Sequence, residues 1–400
     1  MPLSYNPFDE AFRADPYPTY RRLRESDPVH RSPLGFWALA RYEDVRGVQR
    51  DGSLAFFPPA VVEALHAAIG GGSSDAHAVV ARWLLFTAGE DHRRFRGLLN
   101  PYFGPRALRK VRRLAETEVD RLLGRLPPRG TADLLDVVFR PLPVYVFCAW
   151  LGLPIEDRDR CHRWAEAIGR VVVSVPTPEM VSEMSDTVLE CDGYFREKIA
   201  ERRRDPGDDL LSLLLSAEHE GRPVTDDELL ASVVFLLGTT YETTANMLAN
   251  TVLALLRHPD QLQMLRSDPS LVATAIEELI RYDPPLQFHG RFAVGPFEVD
   301  GIEVPAGSRV VALIGAANRD PAQFPEPDDL DVLRTDVRSL SFSGGAHYCL
   351  GAGVARLEIE VALTMLLDSF DGIDAAPGDL RWRGEPLAIR GLEALPVSLG

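Results

Sequence analysis

The chain has 400 residues, of which 46% are hydrophobic and 26% charged, a composition typical of globular proteins with a sizeable core. Its formal net charge of −16 argues against general nucleic-acid binding, because phosphate groups would be repelled over most of the surface. No apolar run reaches the roughly 18 residues of a membrane-spanning helix. The first ten residues lack the basic and apolar regions of a secretory signal, so we expect a cytoplasmic protein that does not enter a membrane.

The first quarter of the chain shows three local patterns. Alternating apolar and polar residues predict strands within 29–39. Residues 66–75 are small or polar apart from Ile69, which predicts the tip of a long surface loop. Residues 92–113 hold eight Lys or Arg and no Asp or Glu, so they form a basic cluster in an acidic protein.

The second half reads mainly as helix. A capping-box spacing starts at Thr225, and the apolar run behind it predicts one helix of more than thirty residues, to Arg257. A further helix is predicted over 269–282, with Asp268 as its N-cap. Strand-like alternation returns over 291–313, with Gly-Pro and Asp-Gly hairpin turns inside it. The fold class is therefore mainly α with small β-sheets.

Four cysteines occur, at Cys148, Cys161, Cys191 and Cys349. They are too few and too scattered for a disulfide scaffold, and no Cys-x-x-Cys pair indicates a structural zinc site. The first three lie in apolar or helical segments and are predicted to be packing residues.

Cys349 lies in the sequence Phe-Ser-Gly-Gly-Ala-His-Tyr-Cys-Leu-Gly, residues 342–351, directly before a helical pattern. Amide groups and the helix dipole at that N-terminus favour an anionic sulfur, which is a strong metal ligand. Gly344, Gly345 and Gly351 are expected to adopt left-handed angles and to approach a flat ligand closely. The alternative is a glycine-rich loop with a buried free thiol. The spacing Phe-x-x-Gly-x-His-x-Cys-x-Gly, which fixes five of ten positions, favours the metal ligand.

This spacing resembles that of the cytochrome P450 haem-thiolate monooxygenases in their soluble bacterial form. The resemblance extends over nearly the whole chain, from Asp15-Pro-Tyr-Pro to Leu395-Pro-Val397. It implies a single P450 domain over residues 1–400, with haem b between the long distal helix and the helix after the cysteine loop, and Cys349 as the iron ligand. Ser343 stands where the family usually has glycine; serine is small enough for us to expect haem binding.

The resemblance also implies a set of residues around the haem. The expected contacts are the basic residues His92, Arg96, Arg291 and His347 at the propionates and, in the cysteine loop, Phe342, Gly344, Gly345 and Gly351. For any single His or Arg the alternative is a solvated surface residue.

Glu278 and Arg281 lie at positions i and i+3 of a predicted helix. Taken alone, such a pair is a surface ion pair worth about 0.3 kcal/mol. The resemblance implies instead a network with a downstream arginine, for which we choose Arg334, that fixes the loop carrying the cysteine.

On the distal helix, the resemblance makes Glu242 and Thr243 an acid–alcohol pair that delivers protons. The structural alternative is a threonine that only hydrogen-bonds to the carbonyl four residues earlier. Thr239 and Thr240 replace the small residue and the glycine of the family pattern. We expect them to narrow the pocket or to add hydrogen bonds, and Thr240 to modulate oxygen or substrate placement.

Substrate and partner predictions also come from the resemblance. Substrate contacts are expected near Phe57 and in the segments 80–85, 286–289 and 388–389, with these residues chosen: Trp83, Leu85, Phe235, Thr239, Leu286, Phe288 and Ile389. These residues suggest an apolar, partly aromatic ligand, although aromatic residues are also common core fillers. The basic cluster is expected to dock a small acidic ferredoxin fed by a separate reductase, because no flavin or nicotinamide fingerprint is visible. The alternative is a solvated helix face.

The leading function is a monooxygenase that hydroxylates or epoxidises an apolar small molecule in natural-product biosynthesis. Oxidative coupling without oxygen insertion stays open because of Thr239 and Thr240. A haem-based sensor would not need the acid–alcohol pair and usually carries an output domain. A cysteine hydrolase using Cys349 and His347 is disfavoured, because no third group orients the pair.

Overall fold

The structure, a computed structural model, describes residues 5–51, 54–55, 74–173 and 177–400. Helices dominate these residues, so the prediction of a mainly helical fold is confirmed. The α-helices are α1 (Glu10–Ala14), α2 (Tyr17–Ser26), α3 (Tyr42–Arg50), α4 (Ser74–Val80), α5 (Gly89–Leu99), α6 (Pro105–Leu123), α7 (Pro141–Trp150), α8 (Arg158–Val173), α9 (Pro178–Arg204), α10 (Leu210–Leu215), α11 (Asp226–Thr240), α12 (Glu242–Arg257), α13 (Pro259–Ser267), α14 (Val272–Tyr282), α15 (Ile314–Ala317) and α16 (Ala352–Ser369).

The strands form small sheets. They are β1 (Val29–Arg31), β2 (Trp37–Leu39), β3 (Leu54–Ala55), β4 (Gly130–Asp133), β5 (Glu218–His219), β6 (Arg222–Pro223), β7 (Phe288–Ala293), β8 (Phe297–Val299), β9 (Ile302–Val304), β10 (Arg309–Leu313), β11 (Ile373–Ala375) and β12 (Pro396–Leu399). The five-stranded sheet has the order β1-β2-β10-β7-β3, and only its β2–β10 pair is parallel among the described strands. An antiparallel sheet has the order β11-β12-β4, and β5-β6 and β8-β9 are hairpins.

The predicted strand regions divide at their turns. The region 29–39 becomes β1 and β2, and the region predicted from residue 291 begins earlier, at Phe288. Asp300 and Gly301, with φ of 50° and 74°, connect β8 to β9. Two successive left-handed residues twist a two-residue hairpin in the direction that its strands require, which is why an Asp-Gly pair predicts this turn.

The predicted distal helix is not continuous. Its capping box is present, with Thr225 and Glu228 bonded reciprocally. The helix breaks at Tyr241, however, between α11 and α12, so the prediction of one helix to Arg257 is wrong. The Thr239 hydroxyl donates to the carbonyls of Phe235 (3.0 Å) and Leu236 (3.3 Å), and such competing bonds bend helices.

Two glycines allow α8 and α11 to cross closely just before this break. A Cβ on Gly238 would lie 2.2 Å from Ile168 Cγ2, and a Cβ on Gly169 would lie 2.8 Å from the Gly238 carbonyl oxygen. A larger residue at either position would push the helices apart. The crossing therefore fixes where residues 239–243 lie.

The main core lies between the helices, where α16 packs against α6 and α12. Cys148, Cys161 and Cys191 are buried in it, as their packing role requires. Most of the loop predicted at 66–75 lies outside the described residues, and Ser74 already begins α4. Within the described ranges, no helix has the length and apolarity needed to cross a membrane.

Candidate haem site

The cysteine loop, residues 342–351, leads into the N-terminus of α16. The Cys349 amide donates to the Phe342 carbonyl (2.9 Å), which folds the loop back on itself, and Gly351 is the N-cap of α16. The Cys349 side chain is accessible, yet protein atoms surround it closely enough that burial raises the pKa of the thiol. The amides of Gly351 and Ala352 and the Arg96 and Arg356 guanidiniums oppose this rise by stabilising a thiolate. A metal ion bound to the sulfur would displace the proton.

Backbone angles in the loop differ from the prediction for its glycines. Gly345 has a φ of 64°, but Gly344 (−156°) and Gly351 (−83°) do not adopt left-handed angles, so the prediction is wrong for these two. A Cβ on Gly345 would lie 3.1 Å from both the Arg50 Cα and the Gln49 carbonyl oxygen. Ser343 is itself left-handed, with a φ of 62°. Such a conformation costs a non-glycine residue about 1–3 kcal/mol.

Glu278, Arg281 and Arg334 meet in the interior. Arg281 donates to Glu278 through Nε (2.6 Å) and Nη2 (2.8 Å), and both side chains are fully buried. Arg334 Nε lies 3.1 Å from Glu278 Oε2. The alternative of a surface ion pair is therefore wrong, because the carboxylate between the two guanidiniums is shielded from water.

Asn318, which the sequence analysis missed, connects this network to the cysteine loop. Its carbonyl accepts from Arg281 Nη1 (2.8 Å). Its side chain accepts from the Leu340 amide (2.8 Å) and donates to Ser341 Oγ (2.8 Å), directly before the loop. No local motif marks this asparagine, because its partners come from two distant segments.

The four predicted propionate-binding residues lie close together. The rings of His92 and His347 are 4.4 Å apart, and Arg96 donates to the Tyr348 carbonyl (2.6 Å). Burial, followed by the charges of His92, Arg291 and Arg96, lowers the pKa of His347 to about 4. Burial also lowers the pKa of Arg291 to about 9.

This basic group fits an anionic cofactor. Burial and the neighbouring Arg96 lower the pKa of His92, and its Nε2 is buried with no hydrogen-bond partner in the described part of the chain. The guanidiniums of Arg96 and Arg291 lose solvation but stay charged, and such cations are stabilised by anions beside them. Two carboxylates next to an accessible sulfur, as haem has beside its iron, match this donor set.

His289 was expected only as the last residue of the substrate segment 286–289, and its contact with Arg291 was not predicted. Its Nδ1 lies 2.9 Å from Arg291 Nη1, and its Nε2 lies 3.3 Å from Gln49 Nε2. Burial and Arg291 lower its pKa well below 6.5, so the ring is neutral. Side chains alternate along a strand, so His289, two residues before Arg291 on β7, lies on the same strand face as Arg291. This alternation could have identified the contact from the sequence.

On the distal side, Glu242 is 4% exposed and forms an ion pair with Arg383. Asn246 Nδ2 donates to the Glu242 carboxylate (3.1 Å) and carbonyl (2.6 Å). Thr240 and Thr243 are half-buried beside the helix break. A threonine hydroxyl that donates to the carbonyl four residues earlier was the structural alternative for the acid–alcohol pair. Thr239 makes such a bond, to the Phe235 carbonyl.

Comparisons with known proteins identify the family. A model of the cytochrome P450 family matches residues 81–375. The chain belongs to the cytochrome P450 family. It is 35% identical to the cytochrome P450 monooxygenase PikC of Streptomyces venezuelae, over 99% of this chain and 94% of PikC. It is 34% identical to the polyketide biosynthesis cytochrome P450 PksS of Bacillus subtilis (strain 168), over 99% of both chains. The crystal structure of CalO2 superposes with a TM-score of 0.90 at 34% identity, covering 100% of this chain and 99% of that one.

The predictions of the family, of its fold and of a P450 monooxygenase are thereby confirmed. The family binds haem iron. Bacterial members receive electrons from redox partners.

The predicted substrate residues of this P450 fall into two groups. Leu286 and Ile389 pair as an isolated β-bridge, and Leu85 and Thr239 are half-buried. Trp83, by contrast, is 1% exposed and packs against Phe86 and Phe235 within the main core.

Phe288 lies on the face of β7 opposite to that of His289 and Arg291. Its ring contacts Tyr5 in the N-terminal cluster. Phe57 lies outside the described residues. The sequence pattern identified aromatic residues, but it did not distinguish core packing from a pocket wall.

The basic cluster of the P450 is partly neutralised. Arg94 is paired with Glu228 (2.7 Å), Lys110 with Asp208 (2.9 Å) and Arg112 with Glu360 (2.9 Å). The exposed members are Arg93, Arg106, Arg109 and Arg113. A positive surface on α5 and α6 is therefore smaller than the sequence count suggests.

Proposed function

We propose that this P450 binds haem b through Cys349 and inserts one oxygen atom into an apolar natural product. The observation that carries the proposal is an accessible, amide-stabilised Cys349 close to four buried or half-buried basic residues, His92, Arg96, Arg291 and His347. When bound, the haem activates dioxygen: one oxygen atom enters the substrate and the other leaves as water, with two electrons and two protons consumed.

The protein residues have separate roles in this proposal. The sulfur of Cys349 binds the iron, and the Gly351 and Ala352 amides donate to that sulfur. His92, Arg96, Arg291 and His347 bind the propionates. Phe342, Gly344, Gly345 and Gly351 shape the loop against the porphyrin face.

Glu242 and Thr243 deliver the two protons. Glu242 is buried, so a proton held at its carboxylate reaches the Thr243 hydroxyl without opening the site to bulk water. Thr240, two residues before Glu242 and half-buried, sets the space at the oxygen-binding side.

The substrate and partners are also proposals. Half-buried Leu286 and buried Ile389 support an apolar substrate, and the similarity to PksS, a cytochrome P450 of polyketide biosynthesis, supports a natural product. Electrons come from a small acidic ferredoxin that docks on the exposed arginines of α5 and α6 and is served by a separate reductase. We further propose that the enzyme is cytoplasmic and that residues 1–400 form one domain. The single domain is supported by one hydrophobic core cluster to which elements from α4 to β12 contribute residues.

The first experiment is the absorption spectrum of the reduced protein under carbon monoxide. A thiolate-ligated haem gives a red-shifted Soret band, and Cys349→Ala should remove this band. The proposal fails if the variant keeps normally ligated haem and native turnover.

The second experiment distinguishes oxygen insertion from oxidative coupling. Oxidative coupling is the second candidate function because Thr239 and Thr240, beside the helix break, depart from the family pattern. Apolar natural products that shift the haem spectrum are turned over under ¹⁸O₂. Insertion places one ¹⁸O atom in the product. A product that gains a new bond without the label shows coupling.

A further inference from the structure

The C-terminal loop, residues 381–393, folds as an irregular hairpin. The Arg383 amide donates to the Gly391 carbonyl (2.9 Å), and the Glu393 amide donates to the Arg381 carbonyl (2.9 Å). Near the tip of the loop, Ile389 pairs with Leu286 as an isolated β-bridge. The loop therefore carries Ile389, one of the residues proposed to contact the substrate.

The same loop lies directly on α12. A Cβ on Gly391 would lie 2.0 Å from Asn246 Oδ1, so the loop backbone touches this side chain. One turn further along α12, Asn250 Nδ2 donates to the Arg390 carbonyl (3.1 Å). The loop and the helix turn after Glu242 are thus packed as one unit.

Arg383 extends this contact to the acid itself. Its guanidinium pairs with Glu242 Oε1, the oxygen that also accepts from Asn246 Nδ2 (3.1 Å). The Glu242 side chain is 5% exposed, whereas that of Arg383 is 26% exposed. A carboxylate buried to this degree needs a partner, and the described residues supply a cation from the C-terminal loop.

We propose that Arg383 is a positioning residue that holds the Glu242 carboxylate and couples it to the substrate-contacting loop. This inference rests on the proposed role of Glu242 in proton delivery. A displacement of the loop at Ile389 moves Arg383, and with it the Glu242 carboxylate that it pairs with. Arg383 therefore links the position of this loop to proton delivery.

The fold of the loop does not depend on Arg383. Arg390 supplies the main anchor: its Nε lies 3.0 Å from Asp283 Oδ1, its guanidinium lies 3.5 Å from the Trp382 ring, and it donates to the Ala14 carbonyl (3.1 Å). We thus expect Arg383→Ala to fold. Arg381, exposed in the same loop, is the matched control.

The experiment compares wild type with Arg383→Ala, Arg383→Lys, Arg381→Ala and Glu242→Gln. Electrons come from NADPH through a plant-type ferredoxin and its reductase, and peroxide released per NADPH is measured without added substrate. Amide hydrogen exchange over residues 384–391 is measured separately by mass spectrometry. We expect Arg383→Ala and Glu242→Gln each to raise the peroxide fraction at least threefold and to speed exchange in the loop.

Further expectations make the test specific. Arg383→Lys should restore part of the peroxide difference, Arg381→Ala should match wild type, and the Glu242→Gln/Arg383→Ala double variant should be no worse than Glu242→Gln. Wild-type loop exchange in Glu242→Gln, or a wild-type peroxide fraction in Arg383→Ala, overturns the inference. If the proposed function is wrong, the reduced wild-type protein under carbon monoxide lacks the spectrum of a thiolate-ligated haem. The exchange measurement still tests whether Glu242 is coupled to the C-terminal loop.

Discussion

Thr240 is the residue whose identity departs most from the family pattern at the proposed oxygen-binding side. It ends α11, one residue before the break at Tyr241, and is half-buried. Thr240→Gly removes the whole side chain, including its methyl and hydroxyl groups, so we expect a wider pocket, a broader set of oxidation products and less product per NADPH. Product analysis and NADPH consumption measure these changes.

The control for Thr240→Gly removes another hydroxyl from the same helix. Ser232 lies on α11 eight residues before Thr240, and its Oγ donates to the Glu228 carbonyl (2.7 Å). Ser232→Ala should leave the product pattern unchanged. Wild-type coupling and products in Thr240→Gly would show that this hydroxyl has no part in placing oxygen or substrate.

His289 illustrates how burial of a single residue affects stability. Its pKa is well below 6.5 in the folded protein because of burial and the nearby Arg291, while the unfolded chain titrates near 6.5. Below pH 6.5 the unfolded state therefore binds a proton that the folded state does not. The free energy of unfolding falls as the pH falls, by up to about 1.4 kcal/mol per pH unit from this residue.

His289→Gln removes this titration but can still contact Arg291 and Gln49. We expect a shallower decrease in the free energy of unfolding between pH 6.5 and pH 5. Urea unfolding followed by circular dichroism at several pH values measures the slope. An unchanged slope would mean that His289 binds its proton equally in both states.

At the scale of elements, the buried network joins α14 to the segment before the cysteine loop. Glu278→Gln leaves two buried guanidiniums without their carboxylate, and breaking a buried pair in this way costs about 3–5 kcal/mol. Asn318→Ala removes two hydrogen bonds to the residues directly before the loop and should cost about 1–3 kcal/mol. We expect both variants to release haem faster.

An exposed ion pair provides the comparison. Arg21 and Asp328 form one with 57% and 35% of their side chains exposed, and exposed pairs contribute about 0–1 kcal/mol. Arg21→Ala should therefore barely change unfolding or haem release. If Asn318→Ala released haem as slowly as Arg21→Ala, the proposed support of the cysteine loop would be wrong.

Local chemistry determined which elements could be predicted from the sequence. The capping box at Thr225 and the hairpin at Asp300 depend on residues within four positions, and both are present. The break at Tyr241 was missed because periodicity shows which residues are apolar and does not reveal a competing side-chain hydrogen bond at Thr239.

Site residues divide in the same way. Motif spacing and the family resemblance singled out Cys349, Glu242 and Glu278 as candidates, because these residues occur in local patterns. Arg383 and Asn318 could not be located, because their partners lie 141 and 22 residues away and only the folded chain brings them together.

For the whole molecule, charge distribution matters more than total charge. The net charge is −16, yet α5 and α6 carry four exposed arginines. The partners that neutralise Arg94, Lys110 and Arg112 lie about a hundred or more residues away in sequence, so composition alone overstated the patch. An acidic protein with a local positive surface attracts an acidic partner to that region and repels it elsewhere.

Salt dependence tests this docking surface. Exposed charges are screened within about 8–10 Å at physiological ionic strength, so reduction by an acidic ferredoxin should slow steeply as salt is added. Arg109→Gln combined with Arg113→Gln should lower the low-salt rate roughly tenfold and flatten the salt dependence, since steering contributes about 10–1,000-fold. Arg129→Gln, an exposed arginine beside β4, should behave as wild type in stopped-flow reduction. Equal salt slopes in all three proteins would place the ferredoxin on another surface.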